Sequence, residues 1–162
     1  MKHVFLLFVL CLTFIAAQSS VAQLNGLGIG IIIGEPTGIS TKVWTSHKTA
    51  FDIGLGWSMH GDRMNNLYYN GTTRVHIHVD YLWHSFEAIH SSERYPLYYG
   101  LGGRINDGAG NDLSLAVRGV LGIAWLPRET PIDIFLEFVP MIQLTSSVSS
   151  GLEAAIGARY YF

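Results

Sequence analysis

The chain has 162 residues, 49% of them apolar, with 18 glycines, one cysteine and a formal net charge of −2. A charge this close to zero, with no basic run, argues against a nucleic-acid partner. After the first 22 residues no apolar stretch reaches the roughly 20 residues of a membrane-spanning helix. A soluble β-sandwich and a membrane β-barrel both fit these numbers, because the apolar residues of a barrel alternate along its strands.

Residues 1–22 have the features of a secretory signal peptide. Lys2 and His3 give a basic start, residues 4–17 form an apolar run, and Ser20-Val21-Ala22 matches a small-x-small cleavage site. The alternative, a helical membrane anchor, is disfavoured because the run is too short. We therefore predict cleavage after Ala22 and a single mature domain at residues 23–162. Cys11 lies in the signal peptide, so the mature chain is expected to contain no thiol and no disulfide.

Eight segments of the mature chain alternate between apolar and polar residues, which predicts β-strands. The alternation is clearest in the fourth, where Val75, Ile77 and Val79 alternate with polar residues. The first contains a G-x-G spacing, but a turn rather than a helix follows it, so we do not interpret it as a nucleotide-binding loop. The predicted strands are residues 24–34, 38–44, 49–59, 74–84, 97–106, 113–125, 132–144 and 151–162.

These strands predict an all-β fold, a closed antiparallel up-and-down barrel of eight strands. An even number of strands places both chain ends on the same side, which the signal peptide predicts to be the periplasm. Pro140 is predicted to face outward, at a bulge or at a non-bonding position near the rim. The links at residues 60–72 and 86–96 are the longest.

Ten of the charged residues lie within predicted strands, and all ten fall on the face opposite the apolar residues. A basic side chain facing lipid costs about 2–4 kcal/mol at mid-bilayer, so a membrane barrel requires this distribution. In a soluble sandwich the same charges would face water. We predict instead a salt-bridged, closed lumen, since buried charges must be paired. This interior charge set comprises Lys42, Asp52, Arg74, Asp80, Arg104, Arg118, Asp133, Glu137, Glu153 and Arg159.

Aromatic residues recur near the strand ends, as in the interfacial girdle of a membrane barrel. The predicted girdle contains Trp44, Trp57, Trp83, Trp125, Tyr160 and Phe162. Glycine and alanine crowd the polar face, which suits a narrow barrel interior better than a surface in contact with water.

Over its whole length the mature chain resembles the small outer-membrane barrels of the OmpA transmembrane-domain, OmpX and OmpW kind. More narrowly, the motifs G-E-P-T-G-I-S-T-K (34–42), Y-Y-G-L-G-G-R (98–104) and I-D-I-F-L-E (132–137) are similar to those of a group of bacterial outer-membrane barrels. The terminal aromatics Tyr160 and Phe162 resemble the signal by which the barrel-assembly machinery recognises such proteins. The resemblance brings no activity and no catalytic residues with it.

Two chemical alternatives concern polar side chains near the predicted lumen. His76 and His78, two apart on one strand, could share a metal with a third ligand such as His84 or Asp80, but they also fit a polar lumen in which they hydrogen-bond to acids. We therefore predict no metal and no cofactor.

A lipid A-modifying enzyme would need an outer-rim nucleophile such as Ser58 near His60, Asp62 or Arg74. No His-x-Ser pair with a nearby carboxylate lies on a predicted lipid-facing strand. We therefore predict a non-enzymatic protein.

The sequence as a whole predicts a monomeric structural or interaction protein of the bacterial outer membrane, in contact with lipid and lipopolysaccharide. Periplasmic chaperones and the barrel-assembly machinery are its expected partners during insertion. A narrow channel is the first alternative function and a lipid A-modifying enzyme the second. Adhesion lacks support, since only residues 60–72 form a sizeable outside loop.

Overall fold

A computed structural model of the chain describes residues 26–58, 74–107, 113–145 and 148–162. Its eight strands form a closed antiparallel barrel in which each pairs with the next and the last returns to the first. The predicted fold class is confirmed. The strands are β1 (Leu27–Gly34), β2 (Thr37–Trp44), β3 (Thr49–Ser58), β4 (Arg74–Ser85), β5 (Leu97–Asp107), β6 (Leu113–Trp125), β7 (Ile132–Gln143) and β8 (Ser149–Tyr161).

The predicted strand positions agree with the structure to within a few residues. The largest difference within the described residues is at β8, which begins at Ser149, two residues before the predicted start. The predicted signal peptide, including Cys11, lies outside the described residues. In the part of the chain that the structure describes, no helix is long and apolar enough to cross a membrane.

The two ends of the barrel are distinguished by their connections. At one end β1 begins and β8 finishes, and here the chain also links β2 to β3, β4 to β5 and β6 to β7. We call this the terminal end. The opposite end, which we call the far end, carries the links from β1 to β2, β3 to β4, β5 to β6 and β7 to β8.

The barrel has an apolar outside and a polar inside. On β4, the outward residues Val75, Ile77 and Val79 are 44–49% exposed, whereas the inward residues His76 and His78 are at most 2% exposed. The other strands follow the same alternation. A strand directs successive side chains to opposite faces, so the period-two pattern of the sequence becomes this separation.

Glycines on the inner face provide the space that large inward side chains need. Gly122 pairs with Tyr98 across β5 and β6, and a Cβ added at Gly122 would collide with the Tyr98 ring. Gly54 is related in the same way to His78 on β4. An eight-stranded barrel is only wide enough for its own side chains. Large residues on one strand therefore require glycines on the next.

Pro140 faces outward within β7, as predicted, but without a bulge. The pairs Arg118 with Met141 and Leu121 with Phe138 keep the same offset on either side of it, so the β6–β7 register is continuous. The described ladder between β6 and β7 lacks only the two pairs between these. Proline has no N–H, so Pro140 cannot donate a ladder hydrogen bond. The register nevertheless stays the same on both sides of it.

The long link after β4 folds over the terminal end of the barrel. Its residue Arg94 pairs with Leu126, whose N–H donates to the Arg94 carbonyl at 2.9 Å. The Glu93 carboxylate accepts from the Arg128 N–H at 3.1 Å. Phe86, at the start of the link, packs against the buried apolar cluster. The link is therefore attached to the barrel at both of its ends.

An apolar layer, which we call the floor, closes the terminal end beneath this link. Trp44 belongs to it, with its ring 4.5 Å from His84 and 6.3 Å from Phe86. The prediction that Trp44 joins the outward girdle is wrong, since it is only 7% exposed and lies on the same face as Lys42. The floor consists of Trp44, Ala50, Leu82, Tyr98, Ala124, Leu126, Phe135 and Tyr161, with Phe86 packed against the cluster, which continues along the barrel through Ile32, Val120, Val139 and Ala155.

Candidate functional site in the barrel interior

Nine members of the interior charge set are buried inside the barrel. Each is at most 6% exposed, and their contacts divide them into two groups, which we call layers. For Arg74 the structure describes only the backbone, in β4. The terminal layer contains Lys42, Asp52, Asp133, Glu137 and Arg159, and the far layer contains Asp80, Arg104, Arg118 and Glu153.

Arg159 is the centre of the terminal layer. Its guanidinium makes an ion pair with Asp52 through Nη2 and a longer one with Asp133, 3.4 Å from Nη1 to Oδ2. Its Nε donates to Ser40 Oγ at 2.8 Å. The face of the same guanidinium lies over Phe135, with Cζ 3.8 Å from the ring centroid. Three of the five guanidinium N–H groups therefore have partners, and the face is packed as well.

Asp133 is the most heavily paired carboxylate of this layer. It is fully buried and receives Lys42 Nζ at 3.6 Å in addition to Arg159. The Tyr161 hydroxyl also donates to it at 2.7 Å. Two cations and one hydroxyl thus compensate for the loss of water around this carboxylate, as a buried charge requires.

Glu137 has a different environment from Asp133. It is 3% exposed, and the Tyr98 hydroxyl donates to its Oε1 at 2.8 Å. No cation lies within 4 Å of it among the described side chains. The terminal layer accordingly holds two cations and three carboxyl groups, and Glu137 is the carboxyl group without an ion pair.

The far layer is built around Arg118. Its Nε lies 3.3 Å from Asp80 Oδ1, and its Nη1 lies 3.4 Å from Glu153 Oε2. Glu153 also pairs with Arg104. These four residues come from β4, β5, β6 and β8, so the ion pairs cross the interior instead of following one strand. The layer balances two cations against two carboxylates.

Hydrogen bonding determines where the two buried histidines of this layer carry their protons. Arg118 Nη1 lies 3.1 Å from His76 Nε2. An arginine only donates, so this nitrogen of His76 must accept. His78 Nδ1, 2.9 Å from the same nitrogen, must then be a donor. His78 Nε2 faces Asp80 Oδ2 at 3.9 Å. Arg118 and His78 therefore both donate to His76 Nε2, whereas the separation of His78 from Asp80 is too long for a hydrogen bond.

Among the described residues, no three His, Cys, Asp or Glu side chains stand where they could hold a metal ion together. The third predicted histidine, His84, is separated from the pair and contacts Lys42 Nζ at 3.5 Å in the other layer.

The remaining predicted residues lie outside the interior or outside the described residues. The rings of Tyr160 and Phe162 lie at the terminal end, 5.2 Å apart. His60 and Asp62 are not among the described residues, and Ser58 is described only as backbone of β3. The alternative of a nucleophile at the outer rim therefore stays a prediction.

Sequence reasoning did not identify the two tyrosines that donate hydrogen bonds to interior carboxyl groups. Tyr98 and Tyr161 are buried and donate to Glu137 and Asp133. The alternation of the strands could have identified both, because each tyrosine is an even number of residues from an inward charged residue on its own strand. Tyr98 shares its face with Arg104, and Tyr161 shares its face with Arg159.

Comparison with known proteins returned no match: no family model, no curated protein and no solved structure is similar to this chain. The interpretation of the interior therefore depends on its own geometry.

Proposed function

We propose that the chain is a small integral outer-membrane β-barrel protein with a closed, salt-bridged lumen, acting as a structural or interaction component of the bacterial envelope. The observation that carries the proposal is the arrangement of polarity. Ion-paired residues are buried inside, while most outward residues of the strands are apolar, and many of the large ones are exposed. In water that outer surface would be an apolar patch far larger than a monomer exposes. In lipid it is the surface that a barrel needs.

A band of aromatic rings near the terminal end supports the same proposal. Phe51 and Tyr81 lie 5.0 Å apart, Tyr81 and Trp83 lie 4.9 Å apart, and Trp83 and Tyr99 lie 5.8 Å apart. All four face outward from the three neighbouring strands β3, β4 and β5. Aromatic side chains concentrate at membrane interfaces, where an apolar ring meets a polar surface. The band is where one lipid headgroup region would lie.

Several parts of the proposal extend beyond the fold. We place the protein in the outer membrane of a bacterial cell, reached by secretion with a cleaved signal peptide. We propose a monomer in contact with lipid and lipopolysaccharide, inserted with the help of periplasmic chaperones and the barrel-assembly machinery. The resemblance to the OmpA, OmpX and OmpW barrels supports this, together with the neighbouring aromatic rings of Tyr160 and Phe162. The proposal includes no catalytic activity.

A narrow channel is the alternative that the interior allows, because charged groups line the lumen beyond the floor. Conduction would require ion pairs such as Arg159 with Asp133 to separate and the floor to open. The two layers and the floor favour a closed lumen, since each of them crosses it.

The test uses the mature chain refolded into lipid vesicles. We expect a compact form that migrates differently before and after heating, that resists extraction from the vesicles by carbonate, and that gives no steady conductance in a planar bilayer. Solubility without lipid or detergent would overturn the membrane assignment. Steady, ion-selective openings would instead overturn only the closed lumen and favour the channel.

A further inference from the structure

The terminal layer contains more carboxyl groups than cations. Lys42 and Arg159 supply two positive charges, whereas Asp52, Asp133 and Glu137 supply three carboxyl groups, all of them buried. In the far layer two arginines face two carboxyl groups instead. An isolated charge buried away from water is so costly that the group usually becomes neutral. The excess of one carboxyl group therefore indicates that one of the three in the terminal layer holds a proton.

The contacts of the three carboxyl groups determine which of them is neutral. Asp133 lies against both cations of the layer, and Asp52 pairs with Arg159. Glu137 has only the Tyr98 hydroxyl, which donates to its Oε1 at 2.8 Å. Because Glu137 is 3% exposed, water does not replace the missing cation. The proton is therefore expected on Glu137.

The surroundings of Glu137 supply no other compensating charge. Directly opposite it on the two neighbouring strands lie Gly122 and Ala155, which carry none. Strand β1 has no titratable residue, and the only one on β6, Arg118, belongs to the far layer. The titratable groups around Glu137 are Lys42 on β2, Asp52 on β3, His84 on β4, Tyr98 on β5, Asp133 on β7 and Arg159 on β8.

Among the described side chains, no third cation faces the terminal layer. Lys42 Nζ lies 3.5 Å from His84 Nε2, and an ammonium only donates, so His84 is a neutral acceptor at that nitrogen. Arg74, described only by its backbone, begins β4 ten residues before His84, about 30 Å away along the strand. His84 lies opposite Tyr98, whose hydroxyl contacts Glu137. Since that separation exceeds the combined length of a tyrosine and an arginine side chain, Arg74 cannot compensate Glu137.

We propose that Glu137 holds a proton in the folded barrel and that this proton makes the terminal layer neutral. Tyr98 donates to its carbonyl oxygen, and the two cations stay with Asp52 and Asp133. The barrel therefore takes up one proton when it folds. A rise in pH that removes this proton leaves an unpaired carboxylate beside the floor, so the closed lumen is sensitive to pH. The proton site lies inside the barrel and does not depend on whether lipid surrounds the outer face.

Glu137→Gln imitates the protonated acid, and Glu87→Gln on the exposed link is the matched control. Urea unfolding in lipid vesicles is measured for both variants and the wild type between about pH 5.5 and 7, above the pKa of about 4.3 of an exposed glutamate. Unfolding of the wild type releases the Glu137 proton in this range, so a rise in pH favours its unfolding relative to Glu137→Gln. We expect the ratio of their unfolding constants to rise about tenfold per pH unit, while the ratio of wild type to Glu87→Gln stays constant.

Infrared spectra of the folded proteins at neutral pH give a second measurement. The difference between the wild type and Glu137→Gln should contain the C=O stretch of a protonated carboxyl group. A carboxylate band in its place, or a constant ratio of unfolding constants, overturns the proton site. Failure of Glu137→Gln to fold also overturns it, because glutamine is close in shape and polarity to the protonated acid. If the chain instead folds in buffer without lipid, the membrane proposal fails, and the same two measurements in buffer still decide the protonation of Glu137.

Discussion

The two most different carboxyl groups of the terminal layer should respond in different ways when each is replaced by an amide. Asp133→Asn leaves Arg159 and Lys42 facing an amide in a fully buried site, where Asp133 had compensated both cations. Removing one partner of a buried ion pair typically destabilises a protein by about 3–5 kcal/mol. Glu137→Gln keeps an oxygen for the Tyr98 hydroxyl and removes no ion pair. Its effect should stay within about 1.5 kcal/mol, the worth of one hydrogen bond.

Urea unfolding of the barrel refolded in lipid vesicles, followed by tryptophan fluorescence, measures this difference. With a urea dependence of about 1–3 kcal/mol per molar, Asp133→Asn should lower the midpoint by at least about 1 M. Glu137→Gln serves as the matched control, because both substitutions convert a buried carboxyl group on β7 to an amide. Equal shifts for the two variants, or no shift for Asp133→Asn, would refute the assignment of the ion pairs to Asp133.

Three further predictions concern packing, lipid contact and hydrogen bonding, each measured by the same unfolding transition. Gly30→Ala should destabilise the barrel by about 1–3 kcal/mol, because the added Cβ would lie 2.6 Å from the Arg159 Cα. Gly103→Ala is the control and should leave the stability unchanged, because no atom lies nearer than 3.9 Å to the added Cβ. Leu101→Arg, outward and 63% exposed, should cost about 2–4 kcal/mol in lipid, and an effect below about 0.5 kcal/mol would speak against a lipid contact. Tyr161→Phe removes a hydroxyl that donates to Asp133 and should cost about 1.5–3 kcal/mol, as expected for a hydrogen bond to a charge; an unchanged midpoint would contradict that role.

The strands and their faces could be predicted because a barrel repeats one simple rule. Alternation with period two separates the apolar outward residues from the polar inward residues along each strand. Turn residues mark where one strand ends and the next begins. The same rule, applied strictly from Lys42, would also have placed Trp44 inward. The prediction was wrong because the position of Trp44 at a strand end was given more weight than its parity.

The pairing inside the barrel could not be predicted in the same way. Arg159 lies in register with Asp133 on β7, yet it also pairs with Asp52 on β3, which is neither a neighbour in sequence nor on an adjacent strand. The contact between Arg159 and Asp52 depends on the stagger of the strands and on the length of the side chains. The alternation of apolar and polar residues predicts neither of these. The link at residues 86–96 was equally unpredictable, because its packing over the floor depends on where β6 ends.

The interior ion pairs have a role in specificity that the outer surface cannot supply. A strand that slips by one residue turns its apolar side inward, an arrangement that lipid contact would reject in the proposed membrane barrel. A slip of two residues keeps every apolar residue outward, so lipid does not distinguish it from the native register. Inside, the same slip moves Gly54 away from His78 and Asp52 away from Arg159, which leaves large side chains in collision and buried charges unpaired. Buried ion pairs contribute little net stability compared with apolar packing, but leaving one unpaired is costly. We therefore infer that, in the proposed membrane barrel, the interior charges and the glycines beside them select this register among those that a membrane would accept.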